Sequence, residues 1–151
     1  MIEIRVTADA FSPDTEIARF AAQRGGDCGV LVTFVGYCRN QSKHGAVTQL
    51  ELEHYPGFTE AEIERLVRGV AGRRSIADIL VIHRTGAVPA SDAIVAVAVM
   101  SAHRAAAFAA AEELMDYLKT DAPFWKREIG PDGARWIEPT AEDRARREEH
   151  R

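Results

Sequence analysis

The stretch Ala93 to Met100 reads AIVAVAVM, a run of apolar residues rich in β-branched side chains and with no polar member. Successive side chains of a strand point to opposite faces, so a strand without polar alternation needs cover on both. That constrains the chain to a layered fold with this strand near the centre of a sheet. The run is far too short to span a bilayer as a helix.

The other segments arrange themselves around it. Ile2 to Thr7 alternates apolar and polar residues, as a half-buried strand does. Ser12-Pro13 supplies an N-cap followed by proline at the first helical position, opening a helix to about Arg24 with Ile17, Phe20 and Ala21 inward; Gly25-Gly26 ends it. Gly29 to Tyr37 is a strand that runs into the polar loop Arg39 to Gly45, which has little to pack and is expected to be mobile. Val47 to His54 alternates again. Thr59 and Glu62 have the spacing of a capping box, starting a helix to about Arg73 on the stripe Ile63, Leu66, Val67 and Val70. Ile76 to Arg84 is a strand broken by Thr85-Gly86, and a Pro-containing loop leads to the apolar run. Ser101 is placed to cap a helix from about His103 to Leu118, with Phe108, Ala111, Met115 and Leu118 inward. Phe124 to Ile129 and Arg135 to Glu138 form a hairpin about the turn Gly130-Pro131-Asp132-Gly133. The tail from Thr140 balances acids and arginines at helical spacing, and reads as a helix that needs a partner surface. Short turns between strands imply an α+β fold: a mostly antiparallel sheet with two to three packed helices. The expected division is one domain over 1–138, with a charged tail over 139–151.

A net charge of −4 argues against a general nucleic-acid or anionic-membrane binder, so an anion site has to be a local concentration of cations. The two cysteines, Cys28 and Cys38, fit no metal-ligand spacing or disulfide framework. They point to free thiols in a reducing cytoplasm, and Cys38 is expected to be inert. The N-terminus has no basic region followed by an apolar one, so no secretory signal is read there. Walker, GxGxxG, HExxH, paired CxxC and GxSxG patterns are absent from the sequence.

What the chain does carry is cations at the ends of elements. Lys119 and Lys126 bracket the turn Thr120-Asp121-Ala122-Pro123 and the aromatic pair Phe124-Trp125, with Arg127 next in line. Taken alone, this is equally well a helix end followed by a strand with surface charges. Arg39 follows a strand. His103-Arg104 opens a helix, where free N–H groups, the helix dipole, a guanidinium and an imidazole together favour an anion. A cation in a first turn opposes the dipole and so wants a reason. His54 and His83, near strand ends, read as structural.

Together these segments resemble one family. Phe34-Val35-Gly36-Tyr37-Cys38-Arg39, Leu52-Glu53-His54-Tyr55-Pro56-Gly57, Val81-Ile82-His83-Arg84-Thr85-Gly86, Ser101-Ala102-His103-Arg104 and the whole of Met115 to Glu128 look like the catalytic (large) subunit of molybdopterin synthase. The motifs lie in family order from Ile2 to about Glu138. The resemblance implies an α/β-hammerhead-like fold and a sulfurtransferase of molybdenum cofactor biosynthesis. That enzyme converts cyclic pyranopterin monophosphate into molybdopterin by installing the dithiolene sulfurs. The implied donor is a small ubiquitin-like subunit with a Gly-Gly C-terminal thiocarboxylate, bound at each end of a homodimer to make a heterotetramer. No metal or organic cofactor is implied, because molybdenum would join the product later. Carried over by position, Lys119 and Lys126 are the catalytic residues. Arg39, His103, Arg104, Lys119, Lys126, Arg127 and Glu128 bind substrate, with Tyr37 and Cys38 contributing only backbone contacts because their positions vary in the family.

Two other readings stay open: a non-catalytic docking module for the ubiquitin-like partner, and an unrelated phosphometabolite enzyme using the same cations. One expectation is geometric. If His103 to Leu118 is a single helix, its ends lie about 24 Å apart at about 1.5 Å per residue. Lys119 then cannot share a small pocket with Arg104 of the same helix, and the site is expected to be composite, with His103 and Arg104 supplied by the other protomer. Arg144 or Arg146 in the tail is expected to reach a neighbouring pocket.

Overall fold

A computed structural model describes residues 1–150. In chain order the elements are β1 (Ile2–Thr7), α1 (Pro13–Ala21), β2 (Val30–Tyr37), β3 (Gln41–Ser42), β4 (Gly45–Ala46), β5 (Gln49–His54), α2 (Phe58–Arg74), β6 (Asp78–Arg84), β7 (Gly86–Pro89), β8 (Ala93–Ser101), α3 (Arg104–Thr120), β9 (Phe124–Gly130), β10 (Gly133–Ile137) and α4 (Ala141–Glu148). One sheet has the order β1-β6-β8-β2, the other β10-β9-β5-β7, and β3 and β4 form a small hairpin. Among the described strands only β1 and β6 pair in parallel; the other neighbours are antiparallel. The fold is α+β, as expected. No helix among the described residues is long and apolar enough to cross a membrane.

The apolar run is β8, flanked by β6 and β2 and covered on both faces. Val95, Val97 and Val99 pack with Ile63, Val67 and Val70 of α2 and with Ala107, Ala110 and Leu114 of α3. On the opposite face, Ala98 and Met100 meet Phe20 of α1 with Leu80 and Ile82. Full burial of each large aliphatic side chain is worth about 1.5–3 kcal/mol, so this strand anchors both layers. A third, smaller cluster of Cys38, Val47, Leu52 and Val88 lies beneath the second sheet.

Several local expectations change. The loop from Arg39 folds back as the β3–β4 hairpin, and the Pro-containing segment after Gly86 pairs with β5 as the edge strand β7, where Pro89 needs no ladder donor. Helix α2 is capped at Gly57, whose N–H bonds the Glu60 carboxylate, so the Thr59–Glu62 box does not form. Instead the Thr59 hydroxyl accepts from Tyr55 N at 2.9 Å and donates to the Pro123 carbonyl at 3.2 Å. That ties the start of α2 to the turn between the two lysines. Phe108 is 61% exposed rather than inward. Ala111 and Leu118 are buried as expected and Met115 packs partly buried on the same core, but Ala107 rather than Phe108 takes the first inward position, where a small residue lets the helix lie close to the sheet.

The tail forms α4, capped by the Thr140 hydroxyl accepting from Asp143 N at 3.0 Å. It docks on the end of α3 through charge: Arg147 binds Asp121 through both nitrogens at 2.8–3.1 Å, and His150 reaches Asp116 at 2.7 Å. Arg146 pairs with Glu142 and Asp143 of its own helix and approaches Asp116, while Arg144 lies near Glu138. Both arginines are paired with this chain's own carboxylates.

The β3–β4 hairpin rests against the end of β9 at Gly130, where a Cβ would collide with the Ala46 carbonyl. Backbone on both sides leaves little room to relax. Gly130→Ala is expected to cost about 2 kcal/mol and to lower the melting temperature by roughly 4–8 °C, checked by calorimetry.

Candidate active site

Strand β9 divides the expected site residues between two faces. Pairing in register with β5, it sets Phe124 beside His54, Lys126 beside Leu52 and Glu128 beside Leu50 on the inner face, over the Cys38 cluster. Trp125, Arg127 and Ile129 point the other way, in register with Glu53, Glu51 and Gln49. Arg127 forms an ion pair with Glu51 and lies 5.4 Å from the Trp136 ring centroid. Within one chain it is therefore separated from Lys126 and already neutralised. Phe124 stacks on His83, whereas Trp125 is 42% exposed and packs edge-on against Tyr55.

Lys119 stands in the last turn of α3, exposed, and faces the partly buried Lys126 across the turn that Thr59 secures. Burial, and then the like charge of Lys119, push the Lys126 ammonium down to about 8. Asp143 in the first turn of α4 acts in the opposite sense, and the Lys119 cation helps to hold its carboxyl below the usual range. The site is thus a pair of amines at the meeting point of α3, β9 and α4. Asp143 was not among the residues expected there. Its Thr140-x-x-Asp143 spacing announces a helix start, but not which side chains that start will face.

Further along the inner face lie Glu128 and Cys38. The Cys38 thiol is pushed up by burial, with the Asp92 and Glu128 carboxylates adding to the shift, so it is held as an unreactive thiol. The Cys38 backbone is fixed at both ends, its N–H on Asp92 O at 2.9 Å and its carbonyl on Ser91 N at 2.7 Å. This anchors the exit of β2, from which exposed Tyr37 and Arg39 project. His103 and Arg104 are also exposed, at the other end of an unbroken α3. The Ser101 hydroxyl accepts from His103 N at 3.3 Å, and His103 itself occupies the cap position with no side-chain cap, so first-turn N–H groups remain available. Within one chain Lys119 acts on Lys126 and Glu128 acts on Cys38, which Tyr37 and Arg39 flank in sequence, while His103 and Arg104 lie at the far end of α3 and Arg127 on the opposite face of β9.

Of the Lys and Arg side chains among the described residues, eleven arginines are ion-paired within 4.0 Å. Arg39, Arg104, Lys119 and Lys126 are among the seven that are not. Unpaired cations that face one another, as Lys119 and Lys126 do, are suited to binding anionic ligands and to stabilising negative charge that develops between them.

The family model described as "MoaE protein" matches residues 6–121. The molybdopterin synthase catalytic subunit of Caulobacter vibrioides is 46% identical over 141 residues, covering 93% of this chain and 92% of that protein. The molybdopterin cofactor biosynthesis protein E of Burkholderia multivorans superposes with a TM-score of 0.81 at 40% identity, over 99% of this chain and 97% of that one. A complex of subunits 1 and 2 of molybdopterin-converting factor from Helicobacter pylori shares the fold, with a TM-score of 0.72 at 16% identity over 90% and 89%. With its unpaired lysine site, its fold and these matches in agreement, the chain belongs to the MoaE protein family, the catalytic subunits of molybdopterin synthase.

Proposed function

We propose that this chain is the sulfur-transferring subunit that converts cyclic pyranopterin monophosphate into molybdopterin, with Lys119 and Lys126 at the reacting centre. The observation that carries the assignment of residues is the pair of unpaired amines where α3 meets β9, one of them with its ammonium destabilised by burial. The sulfur donor is a small ubiquitin-like subunit whose Gly-Gly tail ends in a thiocarboxylate. Both ligands are anions that repel one another, and facing cations bring them together. The thiocarboxylate sulfur bonds to a substrate carbon as a carbon–oxygen bond at that carbon breaks, the oxygen leaving as water or on the ring-opened phosphate, and a thioester results. Water then attacks the acyl carbon, the carbon–sulfur bond to the tail breaks, the tail leaves as a carboxylate, and sulfur stays on the pterin. Lys119 stabilises the tetrahedral oxyanion of that hydrolysis, and Lys126 adds positive potential and tunes its neighbour. Two free thiols and no disulfide suit a reducing cytoplasm.

His103 and Arg104 complete the site from a second copy of the chain. Along α3, Arg104 lies about 22 Å and His103 about 24 Å from Lys119 within one protomer. Support for the pairing comes from β2, an edge strand with no charged residue that exposes Leu31, Phe34 and Tyr37. Its Val30 end adjoins Ser101 and its Tyr37 end leads to Arg39. Antiparallel pairing of two β2 strands therefore carries the helix start of one protomer toward Arg39 of the other. Each end of this homodimer holds one small subunit, giving a heterotetramer.

Reconstitution with cyclic pyranopterin monophosphate and a thiocarboxylated Gly-Gly partner is expected to yield molybdopterin. Lys119→Ala is expected to lower the rate by at least about a hundredfold with partner binding intact. Partner binding without product from wild type would leave the docking module instead. Mixed dimers test the composite site: Lys119→Ala and Arg104→Ala chains are each inactive alone, and co-assembly is expected to restore about a quarter of the wild-type sites in a random mixture. No restoration would place both residues in one protomer's site.

The lowered pKa of Lys126 also has a stability consequence. Below about pH 8 both states are protonated, and the folded chain bears the full cost of the buried ammonium. As pH rises from about 8 to 10.5 the folded chain gives up its Lys126 proton while the unfolded chain keeps it, and the cost fades. Lys126→Met is expected to stabilise the fold by on the order of 2 kcal/mol at pH 7, an advantage that shrinks through that window, as chemical denaturation at several pH values would show.

A further inference from the structure

His83 is a buried titratable group with no part in the transfer just described. It lies near the end of β6, 3% exposed, where the chain leaves the first sheet for the second. Its ring is stacked on Phe124 of β9, with centroids 4.1 Å apart and planes 17° from parallel. Its Nδ1 is 2.9 Å from the Arg84 carbonyl, which can only accept, so Nδ1 carries the proton and donates. The next residues are fixed as tightly. The Arg84 guanidinium donates to Asp92 at 2.8 Å and to the Ala87 carbonyl at 3.2 Å, and Thr85 N bonds Thr7 O at 2.8 Å.

This corner is wired to Lys126 by two routes. Phe124 lies two residues before Lys126 on the same face of β9. Gly86, just beyond the corner, pairs with Leu52, and Leu52 pairs with Lys126 in the same ladder row. A phenylalanine would supply the stack alone. Imidazole adds the hydrogen bond that fixes the ring to the crossover, and in its single-proton form it brings no charge near the amine.

We propose that His83 is a positioning residue for Lys126: as the neutral, Nδ1-protonated imidazole it clamps β9 to the crossover between the sheets and holds the Lys126 amine facing Lys119. The inference rests on the reading that Lys126 acts in sulfur transfer, but its physical content does not need turnover to be measured. Desolvation holds His83 down to about 4, so the ring stays neutral at working pH. Lys119 of α3 and Asp143 of α4 are the charged groups acting on Lys126, and Lys126 is the charged group acting on His83. Removing a neutral ring changes no charge. Any change in how Lys126 titrates then reports movement of the amine.

The test follows Lys126 acetylation by acetic anhydride against pH, read by peptide mass spectrometry on the full-length protein, alongside kcat and KM in the reconstituted reaction. Wild type is expected to label with a midpoint near 8. His83→Phe, which keeps the ring volume, and Phe124→Leu, which breaks the stack from the other side, are each expected to raise the midpoint by about one unit or more. Each is also expected to lower kcat about tenfold with KM within about twofold. Thermal melts identify which variants fold, and if one does not, the other decides. A wild-type midpoint and wild-type kcat in the folded variants would overturn the proposal. A shifted midpoint with full turnover in Lys126→Met would keep the positioning role and remove Lys126 from the reaction.

Discussion

The structure depends on the burial of β8 on both faces. Valines 95, 97 and 99 need one helical layer and Ala98 and Met100 need another, so α2 and α3 cover one side and α1 the other. Once α3 is pressed along the sheet through alanines, its seventeen residues act as a rigid spacer. A cationic helix start and a lysine at the helix end are held about 24 Å apart. The separation of the two cationic ends of α3 follows from packing, before any chemistry is considered.

Charge is used in two ways in this chain. Arginines tie elements together: Arg147 brings α4 onto α3, Arg84 closes the β6–β7 corner, and Arg127 braces the outer face of the second sheet with Glu51 and Trp136. The site cations have no such partner, and the closest charge to Lys126 includes another lysine. An unpaired, partly desolvated amine costs stability in the empty protein and is compensated when an anion arrives. The buried amine thus costs stability, while the arginine pairs around it hold the frame.

Histidine 83 and Thr59 show how a modest polar contact fixes such a site. Thr59 joins α2 to the Pro123 carbonyl, and His83 joins β6 to Phe124, so the segment between Lys119 and Lys126 is gripped from both sides. Each contact crosses between elements remote in sequence. Both are buried, and each is fixed by a hydrogen bond to backbone, Thr59 to the Pro123 carbonyl and His83 to that of Arg84.

Much of this was legible in the chain. Period and composition locate β8, the buried stripe of α2, the β9–β10 hairpin about Gly130–Gly133, and a single long α3, and so the separation of Arg104 from Lys119. The motifs carry the family and the identity of the two lysines. Elements stabilised by distant pairing were not legible. The edge strand β7 exists because β5 lies beside it, and the β3–β4 hairpin rests against Gly130. Phe108 sits on the α3 stripe by spacing, yet the sheet selects the smaller Ala107 one position earlier. Arg127 and Lys126 are adjacent cations in sequence, and only the pleat and a Glu51 opposite decide that one is braced outside and the other enclosed. Local propensity and periodicity act over a few residues and are written in order along the chain. Proton affinity, charge pairing and the choice of face depend on neighbours that only folding brings near.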